Sequence, residues 1–296
     1  MATPFRGTYT VMITPFGPDG AVDVAALTAF TEWQIAQGIH GLIPLGSTGE
    51  FLSLSDDEKT LVAETVIKTA AGRVPVLIGT GAEDTREVVR LSRRAESQGA
   101  DGVMIIPPFY STPTEDELYH HYKTVADAIG IPIMVYNNPA TANVDLKPEL
   151  VARLASIDAC QYIKESTLEV TRVRDIIRLC GERMTVFGGI LGFESFVEGA
   201  QGWVAVASNV APGPLARLFT LVADEEKIAE ARALYLKWLP VIEAVGGQRY
   251  VAGTKSLLGH MGFTAGHPRP PRLPLPAGID AEMRAMVERF ELSFAS

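Results

Sequence analysis

The stretch GADGVMIIPPFYSTPTEDELYHHYKTVADAIGIPIMVY, residues 99–136, decides the fold. It opens with Gly99 and a continuous apolar run, Gly102 to Ile106. A Pro-Pro turn follows, and then Thr114-Glu-Asp-Glu117, an oxygen-bearing residue three places before a glutamate, which is the mark of a capped helix start. Gly130 ends the helix, and a second apolar run, Pro132 to Tyr136, begins at once. Both runs are apolar throughout rather than alternating, as strands of a parallel sheet covered on both faces should be. The stretch reads as strand, helix, strand.

The same phrase recurs on either side. Strand-like runs are expected at Gly7 to Thr14, His40 to Leu45, Val74 to Gly79, Gln161 to Lys164, Met184 to Phe187 and Trp203 to Val206. Between them, Leu27, Phe30 and Trp33, then Val62 and Val66, then Val88, Leu91 and Ala95 keep helical spacing. Ser55 to Glu58 and Asp84 to Glu87 repeat the cap-and-glutamate spacing, and Gly38, Gly72 and Gly181 stand where further helices should end. Eight strand–helix units by about residue 222 predict a (β/α)8 TIM barrel. The expected division is a catalytic barrel over 1–224 and a C-terminal helical region over 225–296. That region reads as helix from Glu225 to Ala244, Arg249 to Met261 and Asp280 to Phe294, with a proline-rich link before the last. A doubly wound sheet is the rival, and the Gly-x-Gly-x-x-Gly phosphate turn that it needs is absent.

Composition narrows the function. The chain has 296 residues, 47% hydrophobic and 21% charged, with a formal charge of −9. This is ordinary globular chemistry, and the negative sign argues against nucleic acid as a partner. No apolar run approaches membrane-spanning length and no signal-like stretch leads the chain, so a cytoplasmic location is expected. The two cysteines, Cys160 and Cys180, suggest neither a disulfide framework nor a metal site. The five histidines lack ligand spacing, so no metal and no cofactor are expected.

In barrels of this kind chemistry gathers at the carboxyl ends of strands. Those ends carry Gly46-Ser-Thr-Gly-Glu50, Pro107-Pro-Phe-Tyr110, Tyr136-Asn-Asn-Pro139, Lys164-Glu-Ser166, Gly188-Gly189 and Ser208-Asn209. Lys164 has two readings. A neutral lysine in an apolar site can attack a ketone and form a Schiff base, whose positive nitrogen then draws electrons from the neighbouring carbon. Alternatively, Lys164 is structural and paired with Glu165 or another carboxylate. Tyr136 and Tyr110 are either proton carriers beside that carbon or aromatic filling. The Ser47–Thr48 turn offers backbone N–H groups and two hydroxyls that suit a small carboxylate, or it is simply a tight turn.

Taken in this order, Gly46-Ser-Thr-Gly-Glu50, Tyr110, Tyr136-Asn-x-Pro139 and Ile163-Lys-Glu165 resemble the pyruvate-dependent class I aldolase family, which includes dihydrodipicolinate synthase and N-acetylneuraminate lyase. The resemblance runs along nearly the whole chain. It implies that Lys164 is the Schiff-base lysine and that Tyr136 shuttles protons. It implies that Ser47 and Tyr110 complete a hydroxyl relay, with Tyr110 reaching in from a neighbouring subunit. It further implies that Ser47 and Thr48 cradle the substrate carboxylate, that Val204 offers a main-chain carbonyl, and that Gly189 lines the pocket. A homotetramer, built as a dimer of tight dimers, is expected.

Three departures bear on the substrate. Thr141 stands where dihydrodipicolinate synthases carry an arginine for the second substrate's carboxylate, and a hydroxyl cannot replace a bidentate fork. Asp56, Lys59, Glu83 and Phe109 replace the residues of a lysine feedback site, so no lysine inhibition is expected. The run Gly188-Gly-Ile-Leu-Gly192 lacks the acidic residues expected of a sialate lyase. The expected function is a Schiff-base lyase or aldolase acting on pyruvate or a related 2-oxo acid, of the keto-deoxy sugar acid or 4-hydroxy-2-oxo acid type. Alternatives are 4-hydroxy-tetrahydrodipicolinate synthase, a hydroxyproline-pathway imine deaminase and, from another class, a non-catalytic 2-oxo acid binder.

Overall fold

The computed structural model describes residues 5–295. Eight strands alternate with helices: β1 Gly7–Val11, α1 Val24–Ala36, β2 Gly41–Ile43, α2 Asp56–Ala70, β3 Leu77–Gly79, α3 Thr85–Ser97, β4 Gly102–Ile105, α4 Glu115–Ala126, β5 Ile133–Asn137, α5 Pro148–Leu154, β6 Cys160–Glu165, α6 Thr171–Cys180, β7 Thr185–Gly188, α7 Gly192–Val197, β8 Gly202–Ala205 and α8 Pro212–Ala223. They form one parallel sheet in the order β2-β1-β8-β7-β6-β5-β4-β3. A further parallel bridge, Leu42 to Val76, carries the pairing from β2 to the residue before β3. This is the (β/α)8 barrel that the alternation predicts. Helices α9 Ile228–Ala244, α10 Tyr250–His260 and α11 Ala277–Phe290 follow it.

The helix starts repay inspection. Ser55 and Thr114 close full reciprocal boxes with Glu58 and Glu117. Asp84 caps α3 by accepting from the Arg86 N–H instead, and Glu87 turns to Arg90. The Asp84–Glu87 spacing therefore marks a helix start without a box.

The chain divides into two compact units. The first comprises residues up to Gly7 with Leu77–Val204. Its core includes the fully buried residues Val103, Ile105, Ile133, Met134, Val135, Ile163, Val186 and Phe187, on both faces of the strands. Gly202 has to be glycine here, because a Cβ would strike the Phe187 ring. At the amino ends of the strands Phe5 stacks on Tyr162, ring centroids 4.8 Å apart, and donates its N–H to the Tyr162 hydroxyl.

One irregularity sets the register. Ile133 pairs with Cys160 but Met134 pairs with Tyr162, so Gln161 is an extra, unpaired residue in β6. A one-residue slip moves every later side chain to the opposite face. Beyond the bulge Tyr136 lies directly across from Lys164 and Asn137 across from Glu165; without it, Lys164 would face Asn137.

The second unit comprises Thr8–Val76 with Ala205 onward, so β1, β2 and the C-terminal helices share it. The Asn209 amide sews its strands together, donating to the Val11 and Val206 carbonyls while its oxygen accepts from the Ile13 N–H. The Gly46–Glu50 turn folds back through Gly49 N–H to Gly46 C=O and Glu50 N–H to Ser47 C=O. Gly49 sits so close to the Met12 carbonyl that a Cβ would lie 3.0 Å from it. The turn is anchored through Glu50, in left-handed conformation at φ 58°. The Glu50 carboxylate meets Lys255 Nζ of α10 at 2.9 Å and accepts from the Arg269 N–H at 2.8 Å. The Arg269 guanidinium in turn holds Glu58 and the carbonyls of Gly20 and Ser53. Phe16 presents its ring to both cations, Lys255 Nζ at 4.1 Å and the Arg269 guanidinium at 4.4 Å. Ser47 and Thr48 are thus held by the C-terminal region through one buried ion pair.

Candidate active site

Strand alternation sends consecutive residues to opposite faces. On β5 and β6 it sends Tyr136 and Lys164 to the interior face and Asn137 and Glu165 outward. Lys164 is only 6% exposed, as is Tyr136. The Lys164 amine lies 4.0 Å from the centroid of the Tyr136 ring, over its face. Among the described residues, no carboxylate forms an ion pair with it. The neighbour that could have quenched it, Glu165, is turned away and taken up elsewhere. Its two oxygens accept from Asn137 Nδ2 at 2.9 Å and from the Thr167 N–H at 2.8 Å. Burial pushes the Glu165 carboxyl up from its ordinary value, with Asn137 and Thr167 opposing. Outside it, Arg172 grips Asp145 with two nitrogens and Glu169 with a third. The Arg172 bond holds the Asp145 carboxyl below its ordinary value. The outer face is closed on itself; the inner face keeps a free amine.

Tyr136 also has a defined partner. Asn138 Nδ2 donates to its phenol oxygen at 2.9 Å. The oxygen is held as an acceptor, so the phenol's own hydrogen remains available for transfer. Just beyond β7, Gly189 donates its N–H to the Glu165 carbonyl and its carbonyl accepts from Trp203 Nε1. A Cβ on Gly189 would overlap Ser166 Oγ, which accounts for glycine at this position. Val204 is fully buried on β8.

Tyr110 behaves differently from the others. Its side chain is 86% exposed. The turn beneath it is nonetheless rigidly specified: the backbone N–H groups of Phe109, Tyr110 and Ser111 all donate to the Glu83 carboxylate at 2.8–3.0 Å. Asn143 Nδ2 donates to the Tyr110 carbonyl from the other side. Burial would raise the Glu83 carboxyl, but the Ser111 hydroxyl and the three N–H donors outweigh it and hold it below its ordinary value.

Lys164, Tyr136, Gly189, Val204 and the Tyr110 turn therefore belong to the first compact unit, and Ser47 and Thr48 to the second. The sequence places Asn138 and Ser166 at strand ends and Glu83 at an altered feedback position without giving them these contacts, and assigns Asn143 no role. Counting by two from Tyr136 and Lys164 points to the first pair, and the other two carried no such signal.

A model of the dihydrodipicolinate synthetase family matches residues 4–290. The chain belongs to that family. It is therefore a lyase of the pyruvate-dependent aldolase type. A family member from Nitrobacter hamburgensis, named 4-hydroxy-tetrahydrodipicolinate synthase, is 42% identical over 92% of each chain. Among solved structures, the chloride-inhibited dihydrodipicolinate synthase of Acinetobacter baumannii, complexed with pyruvate, superposes with TM-score 0.93 at 31% identity over 96% of this chain and 98% of its own. A prophage protein of the family from E. coli K12, also in complex with pyruvate, gives 0.92 at 30% identity over 98% of this chain and 100% of its own. No helix among the described residues is long and apolar enough to cross a membrane.

Proposed function

We propose that Lys164 condenses with the ketone of pyruvate or a related 2-oxo acid, and that carbon–carbon bond making or breaking follows beside that carbon. The observation carrying this reading is a buried lysine without a counter-ion, seated on the face of a tyrosine. The amine attacks the carbonyl carbon, water leaves, and the nitrogen becomes an iminium. An aromatic face attracts a positive nitrogen, so the Tyr136 ring favours that product where it forms. Tyr136 takes a proton from the adjacent carbon while passing its own along the hydroxyl relay, which gives an enamine and leaves the phenol protonated. The enamine carbon bonds to an aldehyde carbon, whose oxygen takes a proton from Tyr136; water then cleaves the imine and frees Lys164. Ser47 and Thr48 are assigned the carboxylate, and Val204 and Gly189 pocket contacts, on their resemblance to the family pattern.

Tyr110 is assigned to the relay of a neighbouring copy in a homotetramer, built as a dimer of tight dimers. Support comes from its outward side chain on a turn that is already fully bonded within its own chain. A cytoplasmic location fits a pyruvate-using enzyme with two buried free thiols.

A second reading, 4-hydroxy-tetrahydrodipicolinate synthase, is favoured by the names of the relatives. Against it stands Thr141 where the carboxylate-holding arginine is expected, and Arg172 is committed to Asp145 and Glu169. The test is borohydride reduction with and without pyruvate, beside an aldehyde-consumption screen with product masses recorded. Covalent gain only with pyruvate supports the proposal; unchanged mass with retained pyruvate binding would point to the non-catalytic binder.

A further inference from the structure

Two asparagines stand next to each other where β5 ends, and their amides are used in opposite ways. Asn137 is fully occupied. Its nitrogen donates to Glu165 at 2.9 Å and to Asp145 at 3.3 Å, and its oxygen accepts from the Leu146 N–H at 2.9 Å. Asn138 is only half used. Its nitrogen donates to the Tyr136 phenol oxygen at 2.9 Å, and its side-chain oxygen is buried with no hydrogen-bond partner. An unpaired buried oxygen is costly, so an asparagine that served the fold alone should satisfy both ends of its amide. Here the cost is accepted for one contact with a phenol.

The backbone brings that contact about. The ladder between β5 and β6 continues one step past the strands, where the Ser166 N–H donates to the Asn137 carbonyl at 3.0 Å. Pro139 follows Asn138, and a residue before proline is pushed toward extended geometry. Residues two apart on an extended chain share a face, so the Asn138 amide comes to the side that holds Tyr136 and Lys164. The Asn138 carbonyl accepts from the Thr141 and Ala142 N–H groups, both at 3.0 Å, which fixes the main chain beneath the amide.

What such a donor does depends on the charge of the oxygen that it meets. A hydrogen bond to an ionised oxygen is about twice as strong as one to a neutral oxygen. The Asn138 bond therefore tightens as negative charge gathers on the Tyr136 oxygen. An interaction that is stronger in the transition state than before it lowers the barrier.

We propose that Asn138 is a positioning residue that lets Tyr136 act as a base. Its amide N–H steadies the charge on the phenol oxygen while that oxygen takes the proton from the carbon beside the iminium. The C–H electron pair becomes the enamine double bond, the iminium nitrogen takes up the displaced pair, and the phenol's own proton moves to the relay. The Asn138 protons stay on nitrogen throughout. This inference rests on the Schiff-base reading and assigns a residue to its second step.

The test isolates that step. The full-length protein is incubated with pyruvate in deuterium oxide without an aldehyde, and deuterium entering the pyruvate methyl group is followed by NMR. Asn138→Leu removes the donor; Asn138→Asp keeps the shape and puts an acceptor in its place. Each should slow exchange by roughly 10- to 100-fold, the worth of a hydrogen bond to a charged group. Asn138→Asp should be at least as slow as Asn138→Leu, whereas a merely structural role would be satisfied by the isosteric carboxylate. Borohydride trapping at Lys164 should be unchanged in both, because imine formation precedes proton removal. Exchange at the wild-type rate in either variant, or trapping that falls in parallel with exchange, would overturn the inference and leave the Schiff base standing. Absence of trapping in the wild type would overturn both.

Discussion

The molecule buries two lysines to nearly the same depth, and they live opposite lives. Lys164 is 6% exposed and Lys255 is 3%. Each amine rests on an aromatic face at almost one distance, 4.0 Å on Tyr136 and 4.1 Å on Phe16. The difference is the counter-ion. Lys255 meets the Glu50 carboxylate at 2.9 Å and donates to the His267 carbonyl, whereas Lys164 has neither kind of partner among the described residues. A buried charge is tolerated when it is paired and fixed, and that arrangement gives a structural strut. A buried amine without a pair is not tied into the fold by a counter-ion, and its nitrogen stays open to an incoming carbonyl group. Burial does not separate the lysine proposed to react from the structural one. Pairing does.

Exchanging each lysine separates the two roles. Lys164→Ala should fold with a thermal midpoint close to wild type, yet lose turnover by more than about 10,000-fold, as loss of a covalent nucleophile does. An activity loss of only a few fold would put the chemistry elsewhere. Lys255→Met should do the reverse. It strands the Glu50 carboxylate, so denaturant unfolding should show a loss of about 3–5 kcal/mol. The pyruvate-dependent borohydride adduct should survive wherever the variant is folded. Adding Glu50→Gln to Lys255→Met should return part of the stability, and failure to do so would argue that the pair is not the source.

Much of this architecture is legible without coordinates. The unbroken apolar runs at 102–106 and 132–136, with a capped helix between them, fix strand–helix–strand locally, and repetition along the chain does the rest. Lys164 is legible as the candidate at the end of the sixth apolar run, one residue before β6 closes at Glu165. What decides between its two readings is not. That Lys164 faces Tyr136 depends on one extra residue, Gln161, whose bulge has no signature in a polar residue at a strand start. That Glu165 turns to Asn137 and Thr167 follows from the same register. The Tyr110 turn hangs on Glu83, 27 residues away, and no local pattern links the two.

That long-range clasp gives a smaller effect. Glu83→Ala should free the 109–111 turn and lower kcat by roughly 10-fold, as misplacement of a catalytic group does. Trapping at Lys164 should be untouched; reduced trapping would show that Glu83 serves the lysine instead. The Lys255–Glu50 ion pair also sets a pH slope. Burial, opposed by Glu50, pushes Lys255 down to about 8 from the ordinary 10.5. Between those values the unfolded chain binds more protons than the folded one, so this group's contribution to stability rises as pH climbs from 8 to 10.5. The wild type should therefore show a more positive slope of unfolding free energy against pH in that window than Lys255→Met. Parallel slopes would mean that Lys255 is not displaced in this way.

The direct comparison of the two amines is peptide mapping after borohydride reduction in the presence of pyruvate, with the peptides that contain Lys164 and Lys255 read in the same digest. The added mass should sit on Lys164 alone. Mass on Lys255, or on neither lysine, would contradict the claim that the unpaired buried amine is the one that reacts.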